Sequence, residues 1–357
     1  MPVPKDHLHA LCALTLNPSD AAEVFRYVAI LDEAQRAELL KLADSHHVII
    51  RALTPVESGA AELGNTNLQR WASQAIADER ARIANVLPRL YAICTELEAA
   101  GCPTTVMKSL DHWPDLGNDL DLYTIASERR VIEVMVRRFQ ARIEPQSWGD
   151  RLAHKWNFAV PGMCELVEVH SQRLGQTGEH LALARRFVTR RVEQGIGGYE
   201  FFLPAPEERI IVATLQRMYR HFYFRVCDLA NSAGLVEAGA LDYAQLKKAA
   251  ELGGIWPGVA SYLVIVSDYI QKYRGAALSL PAEVRAAARF GGEKVFSDGK
   301  FLRVPIMPYG AALYTEQVTR TALRGDVPAT FRLSLLPTLA ASAAVAYRIT
   351  GSDKGVW

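Results

Sequence analysis

The chain has 357 residues, of which 50% are hydrophobic, 9% aromatic and 22% charged. This composition excludes an intrinsically disordered chain, and the length predicts about two globular domains. The formal net charge is +1, from 40 Lys and Arg against 39 Asp and Glu residues. No overall field would therefore draw the protein to nucleic acid or to an anionic membrane, and a charged partner must be recognised locally.

Cysteine usage and the chain ends indicate the compartment. The five cysteines show no CxxC spacing and are odd in number, which argues against a disulfide framework and a structural zinc site. The first residues lack the charged start and apolar core of a secretory signal. The most apolar late stretch, 333–347, contains Pro337 and is too short to cross a bilayer of about 30 Å. We expect a soluble cytoplasmic protein without membrane association.

The first hundred residues have the periodicity of helices. The pair at 19–20 predicts the cap of a helix that runs through Ile30, and Asp32 predicts the start of a second helix. Segment 75–100 then places apolar residues at three- and four-residue steps and contains Pro88, which should bend the helix.

The hydrophobic period shortens after residue 103, where strands and a charged helix interleave. The predicted strands are 104–107, 120–124, 156–160 and 165–170, and the predicted helix is 128–140. Helices return in the last part of the chain, at 207–228, 242–252 and 255–272, followed by a hairpin of 293–296 with 301–306 and two further helices. This order predicts an α+β fold, with a small mixed sheet flanked by helical regions on both sides.

Two aspartates on one predicted strand are the clearest chemical signal. Asp119 and Asp121 lie on one strand face because side chains alternate, while the intervening leucine points into the core. Carboxylates this close repel one another unless a divalent cation lies between them, and Mg²⁺ prefers such oxygen ligands. Glu168, between two valines on a later strand, is the candidate third acid.

These residues resemble the DNA polymerase β-like nucleotidyltransferase superfamily, whose signature is a small turn, about ten residues, Asp-hydrophobic-Asp, and a later lone strand acid. Residues 107–109 read Met-Lys-Ser at the turn position, and Asp-Leu-Asp follows at 119–121. The chain is most similar to the uncharacterised bacterial nucleotidyltransferase branch with the pattern Leu-Lys-Gly, Asp-x-Asp and Asp-x-His. Residues 168–170 read Glu-Val-His. The similarity covers 85–170 and, more loosely, 20–275. Serine replaces the glycine of the turn and glutamate replaces the last aspartate.

The resemblance implies a nucleotidyltransferase core at 101–203, between an N-terminal helical region at 1–100 and a helical domain at 204–280 that closes the cleft. The hairpin and helices of 281–357 receive no role. The implied site consists of Asp119, Asp121 and Glu168 as catalytic ligands of two Mg²⁺ ions, and Lys108, Ser109, His170, Arg225 and Asp228 as nucleotide-binding residues. Such an enzyme moves a nucleoside monophosphate from a nucleoside triphosphate (NTP), such as ATP, to an acceptor hydroxyl or phosphate and releases pyrophosphate.

The acceptor and several residue roles stay open. Near-neutral charge favours a small molecule or a peptide as the acceptor, whereas a tRNA, as used by nucleotidyltransferase toxins, would need a local basic groove. A catalytically inactive nucleotide-binding protein is the third alternative. His170 either orients a ligand or is satisfied by Glu168. We interpret 219–225 as core packing beside the cleft, and His46 and His47 as surface residues.

Overall fold

A five-stranded mixed sheet in the middle of the chain carries the alternation of apolar and polar residues predicted for it. The structure of the protein, a computed structural model, describes residues 6–18, 22–339 and 341–342. The strands of this sheet are β1 (Thr104–Met107), β2 (Asp119–Thr124), β3 (Arg142–Ile143), β4 (Lys155–Ala159) and β5 (Leu166–Ser171). Their spatial order is β1-β2-β5-β4-β3. Strands β2 and β5 are parallel and the other neighbours are antiparallel, so the sheet is mixed.

Helices precede and follow this sheet, which confirms the α+β class. The helices are α1 (His7–Leu16), α2 (Ala22–Ala29), α3 (Glu33–Ser45), α4 (Ile49–Glu62), α5 (Thr66–Ala99), α6 (Glu128–Phe139), α7 (Trp148–Ala153), α8 (Ala182–Thr189), α9 (Pro206–Thr214), α10 (Val226–Glu237), α11 (Tyr243–Gly253), α12 (Trp256–Arg274), α13 (Ala282–Ala287), α14 (Ala311–Leu323) and α15 (Val327–Ser334). The remaining strands are β6 (Val192–Ile196), β7 (Tyr199–Leu203), β8 (Tyr223–Phe224), β9 (Phe296–Ser297) and β10 (Leu302–Arg303).

The N-terminal helices are longer and more numerous than the periodicity predicted. Helix α5 begins at Thr66, well before the predicted start at 75, because the side chain of Asn65 accepts a hydrogen bond from the backbone N–H of Leu68. Pro88 lies within this helix. The predicted cap of the first helix, at 19–20, lies outside the described residues.

The predicted helix 207–228 is wrong as one element. Helix α9 continues as a π-helical turn, Leu215–Arg220, and then ends. The chain leaves the helix at Phe222, whose φ is 54°, and forms strand β8 before α10 begins. Strand β8 pairs with β10, which also pairs with β9 in a shorter form of the predicted hairpin.

Two hydrophobic cores lie on opposite faces of the sheet. One face carries Leu120, Leu122 and Val169, which pack with the apolar sides of α5 and α6. The second and larger core joins α1–α4 to the helices after residue 180, and it includes Met107 and Tyr123 from the opposite sheet face. The polar residues of β2 and β5 share that opposite face. The larger core draws on 1–100, 204–280 and 281–357 alike, and the predicted domain boundaries stay a prediction.

Two further features concern the whole chain. None of the helices that the structure describes is both long and apolar enough to cross a bilayer. All five cysteines carry free thiols, and the side chain of Cys164 alone among them is exposed.

Candidate functional site

The parallel pairing of β2 with β5 brings the predicted acids together. Asp121 lies directly beside Glu168 in the register of the two strands. Asp119 precedes Asp121 by two residues and shares its face, because side chains alternate along a strand. Asp121, Glu168 and His170 each offer a ligand atom, and these atoms all lie within 4.8 Å of one another.

Ser109 links the turn after β1 to strand β2 by hydrogen bonds. The Ser109 hydroxyl donates to the backbone oxygen of Asp119 at 2.9 Å and accepts from the backbone N–H of Asp121 at 2.9 Å. Lys108, which precedes it, has a φ of 58°. The Ser109 side chain therefore fixes the distance between the turn and the acids. A role for Ser109 in nucleotide binding stays a prediction.

Basic side chains surround the acids. The Lys108 ammonium forms an ion pair with Asp121. Lys155 Nζ lies 3.0 Å from Glu168 Oε2 and 2.8 Å from an oxygen of Asp150. His170 Nε2 lies 2.8 Å from Glu168 Oε1. Every carboxylate of the group except Asp119 thus has a cationic or imidazole neighbour among the described residues.

These neighbours set the charge of the acids. Burial raises the pKa of Glu168, but the hydrogen bond from His170 and the charge of Lys155 outweigh it and hold the pKa well below its usual value. Burial, with the negative charges of Asp121 and Glu168, raises the pKa of Asp119. Burial is the larger cause, and the repulsion between the carboxylates adds to it. A divalent cation would relieve that repulsion, so these oxygen ligands fit a Mg²⁺ site.

A cleft of about 760 Å³, including its open side, lies in front of the acids. Its opposite wall comes from the segment after α9 and carries Arg217, Arg220 and Arg225. The interpretation of 219–225 as core packing is right for Phe224, which is buried, and wrong for Arg220 and Tyr223, which line the cleft.

Two residues predicted to bind nucleotide have different positions. Arg225 lines the cleft and donates to His47 Nε2 at 2.5 Å. Asp228 does not line this cleft. It lines an adjacent, smaller cavity. Its Oδ2 accepts from the backbone N–H of Arg225 at 2.7 Å and lies 2.7 Å from Nε of Arg217. Asp228 thus holds an arginine of the wall in place, and its contact with nucleotide stays a prediction.

The prediction that His46 and His47 lie on the surface is wrong. His46 accepts from the backbone N–H of Val226 at 2.9 Å and donates to the backbone oxygen of Lys300 at 2.7 Å. Burial lowers the pKa of His46 to about 4. His47 lines the cleft and stacks on His112, with ring centroids 5.0 Å apart. Nothing in the spacing of these histidines indicated the cleft.

Comparison with known proteins adds little to this geometry. No protein-family model matches the sequence, and no curated protein matches it significantly. Among solved structures, an antigenic nucleotidyltransferase-like protein from Paracoccidioides brasiliensis aligns with a TM-score of 0.35 and 15% identity, over 57% of this chain and 97% of that chain. A likeness at this level carries no argument about fold or activity.

Proposed function

We propose that the protein is a Mg²⁺-dependent nucleotidyltransferase, which transfers a nucleoside monophosphate from an NTP to an acceptor and releases pyrophosphate. The observation that carries the proposal is the placement of three acids, Asp119, Asp121 and Glu168, on one sheet face, across a cleft from arginines. Acids that bind metal and cations that bind phosphate are the two requirements of phosphoryl transfer.

The acids and the cations at the cleft have separate tasks in this reaction. Asp119, Asp121 and Glu168 would hold two Mg²⁺ ions, which when bound neutralise phosphate charge and lower the proton affinity of the acceptor oxygen. Arg220 and Lys108 bind oxygens of the triphosphate, where Lys108 exchanges its ion pair with Asp121 for a phosphate. Asp228 keeps Arg217 in the cleft wall.

The experiment measures pyrophosphate release from each of the four common NTPs in the presence of candidate small-molecule, peptide and tRNA acceptors, with Mg²⁺ and with EDTA. We expect release that requires the metal and falls at least about a hundredfold in Asp119→Asn and Asp121→Asn. Asp78→Asn, an exposed aspartate on α5, is the matched control and should keep full activity. Activity that survives either site variant would disprove the assignment.

The rival is a protein that binds nucleotide without turnover. NTP binding that is indifferent to Mg²⁺, together with no pyrophosphate from any NTP, would favour this rival. The close placement of Lys108 beside Asp121, and of Lys155 and His170 beside Glu168, argues against it. A site that had lost its function would not need to keep four charges in register.

A further inference from the structure

A second cleft, of about 620 Å³ including its open side, lies beside the first. Lys108, Gln216 and Arg220 line both clefts, so the two meet at these side chains. Glu168 lines the first cleft and His170 the second, and the two side chains touch at 2.8 Å. Glu168 and His170 therefore lie where the two clefts meet. A molecule bound in the second cleft would contact a nucleotide bound in the first at this point.

The second cleft has the chemistry of a small-molecule site. Most of its exposed lining surface is apolar, with Leu174, Val212 and Leu215 among the lining residues, as is usual for small-molecule sites. Two buried polar groups are poorly satisfied. Gln317, only 2% exposed, makes one side-chain hydrogen bond among the described residues, at 3.4 Å. His170 is 6% exposed and its Nδ1 has no partner in the described chain.

One buried carboxylate gives part of the second cleft a negative charge, although Lys108 and Arg220 also line this cleft. Glu179 lines it, is 7% exposed, and forms no ion pair with a lysine or arginine of the described residues. Among the described residues its carboxylate accepts hydrogen bonds from Thr177 alone, at 3.0 and 3.1 Å, and His180 Nε2 lies 3.7 Å from it. Glu179 does not line the first cleft, so it lies away from the junction with Lys108 and Arg220. The body of a bound molecule would face this carboxylate.

The C-terminal region supplies one wall of the second cleft. Tyr314 and Gln317 on α14, and Leu336 beyond α15, line it. The Tyr314 hydroxyl donates to the backbone oxygen of Leu333 at 2.8 Å, which fastens this wall. Segment 281–357, which the sequence left without a role, thus completes a cavity at the candidate active site.

We propose that the second cleft is the acceptor site and takes a hydroxyl carried on a compact, largely apolar body without negative charge. This inference rests on the proposed function. The acceptor oxygen forms a bond to the α-phosphorus of the NTP while the bond from that phosphorus to the bridging oxygen breaks. Pyrophosphate leaves with that electron pair, and the hydroxyl proton passes to solvent.

The test uses three matched phenols and bulk tRNA as probes. Protein, Mg²⁺ and α-³²P-labelled NTP are incubated with tyramine, N-acetyltyrosinamide, 4-hydroxyphenylacetate or tRNA, and NTP binding is measured separately by fluorescence titration. We expect label on tyramine and N-acetyltyrosinamide, and at least tenfold less on the anionic phenol and on tRNA. Gln317→Leu should raise KM for tyramine about tenfold, more than it changes the Kd for NTP. Thr319→Leu, exposed on the same helix, is the control.

Glu179→Gln tests the charge selection. The variant should reduce the ratio of kcat/KM for tyramine over 4-hydroxyphenylacetate about tenfold. Label on tRNA but not on the phenols, equal use of the anionic phenol, or pyrophosphate release without label on any phenol would each overturn the acceptor assignment and leave the proposed function standing. If NTP is neither bound nor cleaved, the proposed function is wrong and the acceptor assignment falls with it.

Discussion

Of the three arginines of the cleft, only Arg220 has neither an ion pair nor a side-chain hydrogen bond within the part of the chain that the structure describes. Arg217 pairs with Asp228, and Lys108 pairs with Asp121, whereas Arg220 forms no ion pair with any residue that the structure describes. A guanidinium in this state is available to an anion, since binding a phosphate requires no existing contact to break.

We predict that Arg220→Gln weakens NTP binding about tenfold to a hundredfold, the effect of a lost charge-assisted hydrogen bond. The free energy of unfolding should change by less than about 0.5 kcal/mol, because no internal partner is lost. Fluorescence titration and urea unfolding measure the two effects. Arg129→Gln, an exposed arginine on α6, should alter neither. An unchanged Kd for NTP would remove Arg220 from the phosphate site.

The acidic residues of the site can be predicted from the sequence better than its arginines. Asp119 and Asp121 are adjacent on one strand, so the alternation of side chains alone places them on one face. Arg220 comes from a segment distant in sequence, and its direction depends on where the helix before it ends. No local pattern specifies that end, so only the three-dimensional structure adds Arg220 to the site.

At the start of α10, the carboxylate of Asp228 takes part both in the helix cap and in an ion pair. Asp228 accepts from the Arg225 backbone and pairs with Arg217, which is 3% exposed. We predict that Asp228→Asn lowers the free energy of unfolding by about 3 kcal/mol, because a buried guanidinium loses its counter-charge. Urea unfolding measures this loss. The Kd for NTP should rise less than in Arg220→Gln.

A capping aspartate without an ion pair, Asp242, provides a control that separates the effect of the ion pair from the effect of the cap. Asp242 caps α11 and accepts from two backbone N–H groups, but it has no arginine partner among the described residues. Asparagine caps helices about as well as aspartate, so Asp242→Asn should cost less than about 0.5 kcal/mol. Equal losses in the two variants would mean that the pair with Arg217 contributes nothing.

At this scale the sequence predicts elements with a local signal and misses those without one. The predicted strand 104–107 is observed as β1 with the same bounds, because four consecutive buried residues follow a clear helix end. The sequence does not predict α4 as a separate helix, because this segment contains Pro55 and Gly59, and both residue types commonly end helices. The break after Arg220 was missed because β8 is stabilised by pairing with β10, far along the chain.

His46 joins three distant parts of the molecule. It ends α3, accepts from the first residue of α10 and donates to the loop between β9 and β10. Its folded-state pKa of about 4 lies below the usual value of 6.5. The unfolded chain therefore binds a proton between these values that the folded chain does not. The stability that His46 contributes is present above pH 6.5 and is lost as the pH falls toward 4.

We predict that the wild-type protein loses more stability than His46→Gln between pH 6.5 and 5, by about 1.4 kcal/mol per pH unit. Glutamine can both accept and donate a hydrogen bond but does not titrate in this range. Urea unfolding of the two proteins at several pH values measures the difference. Parallel pH dependences would show that His46 titrates alike in the folded and unfolded chains.

The packing of α1 against α10 and α12 sets the order in which the protein can fold on the ribosome. The side chain of Asn17 donates to the backbone oxygen of Tyr273 at 3.0 Å, and the apolar residues of α1 are buried in the same core. Helix α10 begins about 200 residues after α1 ends, a delay of about 10 to 40 s at ordinary translation rates of about 5–20 residues per second. During that interval α1 can pack only against α2–α4, and its contacts with α10 and α12 stay unmade. We therefore expect nascent chains to offer a binding site to chaperones until α12 has emerged.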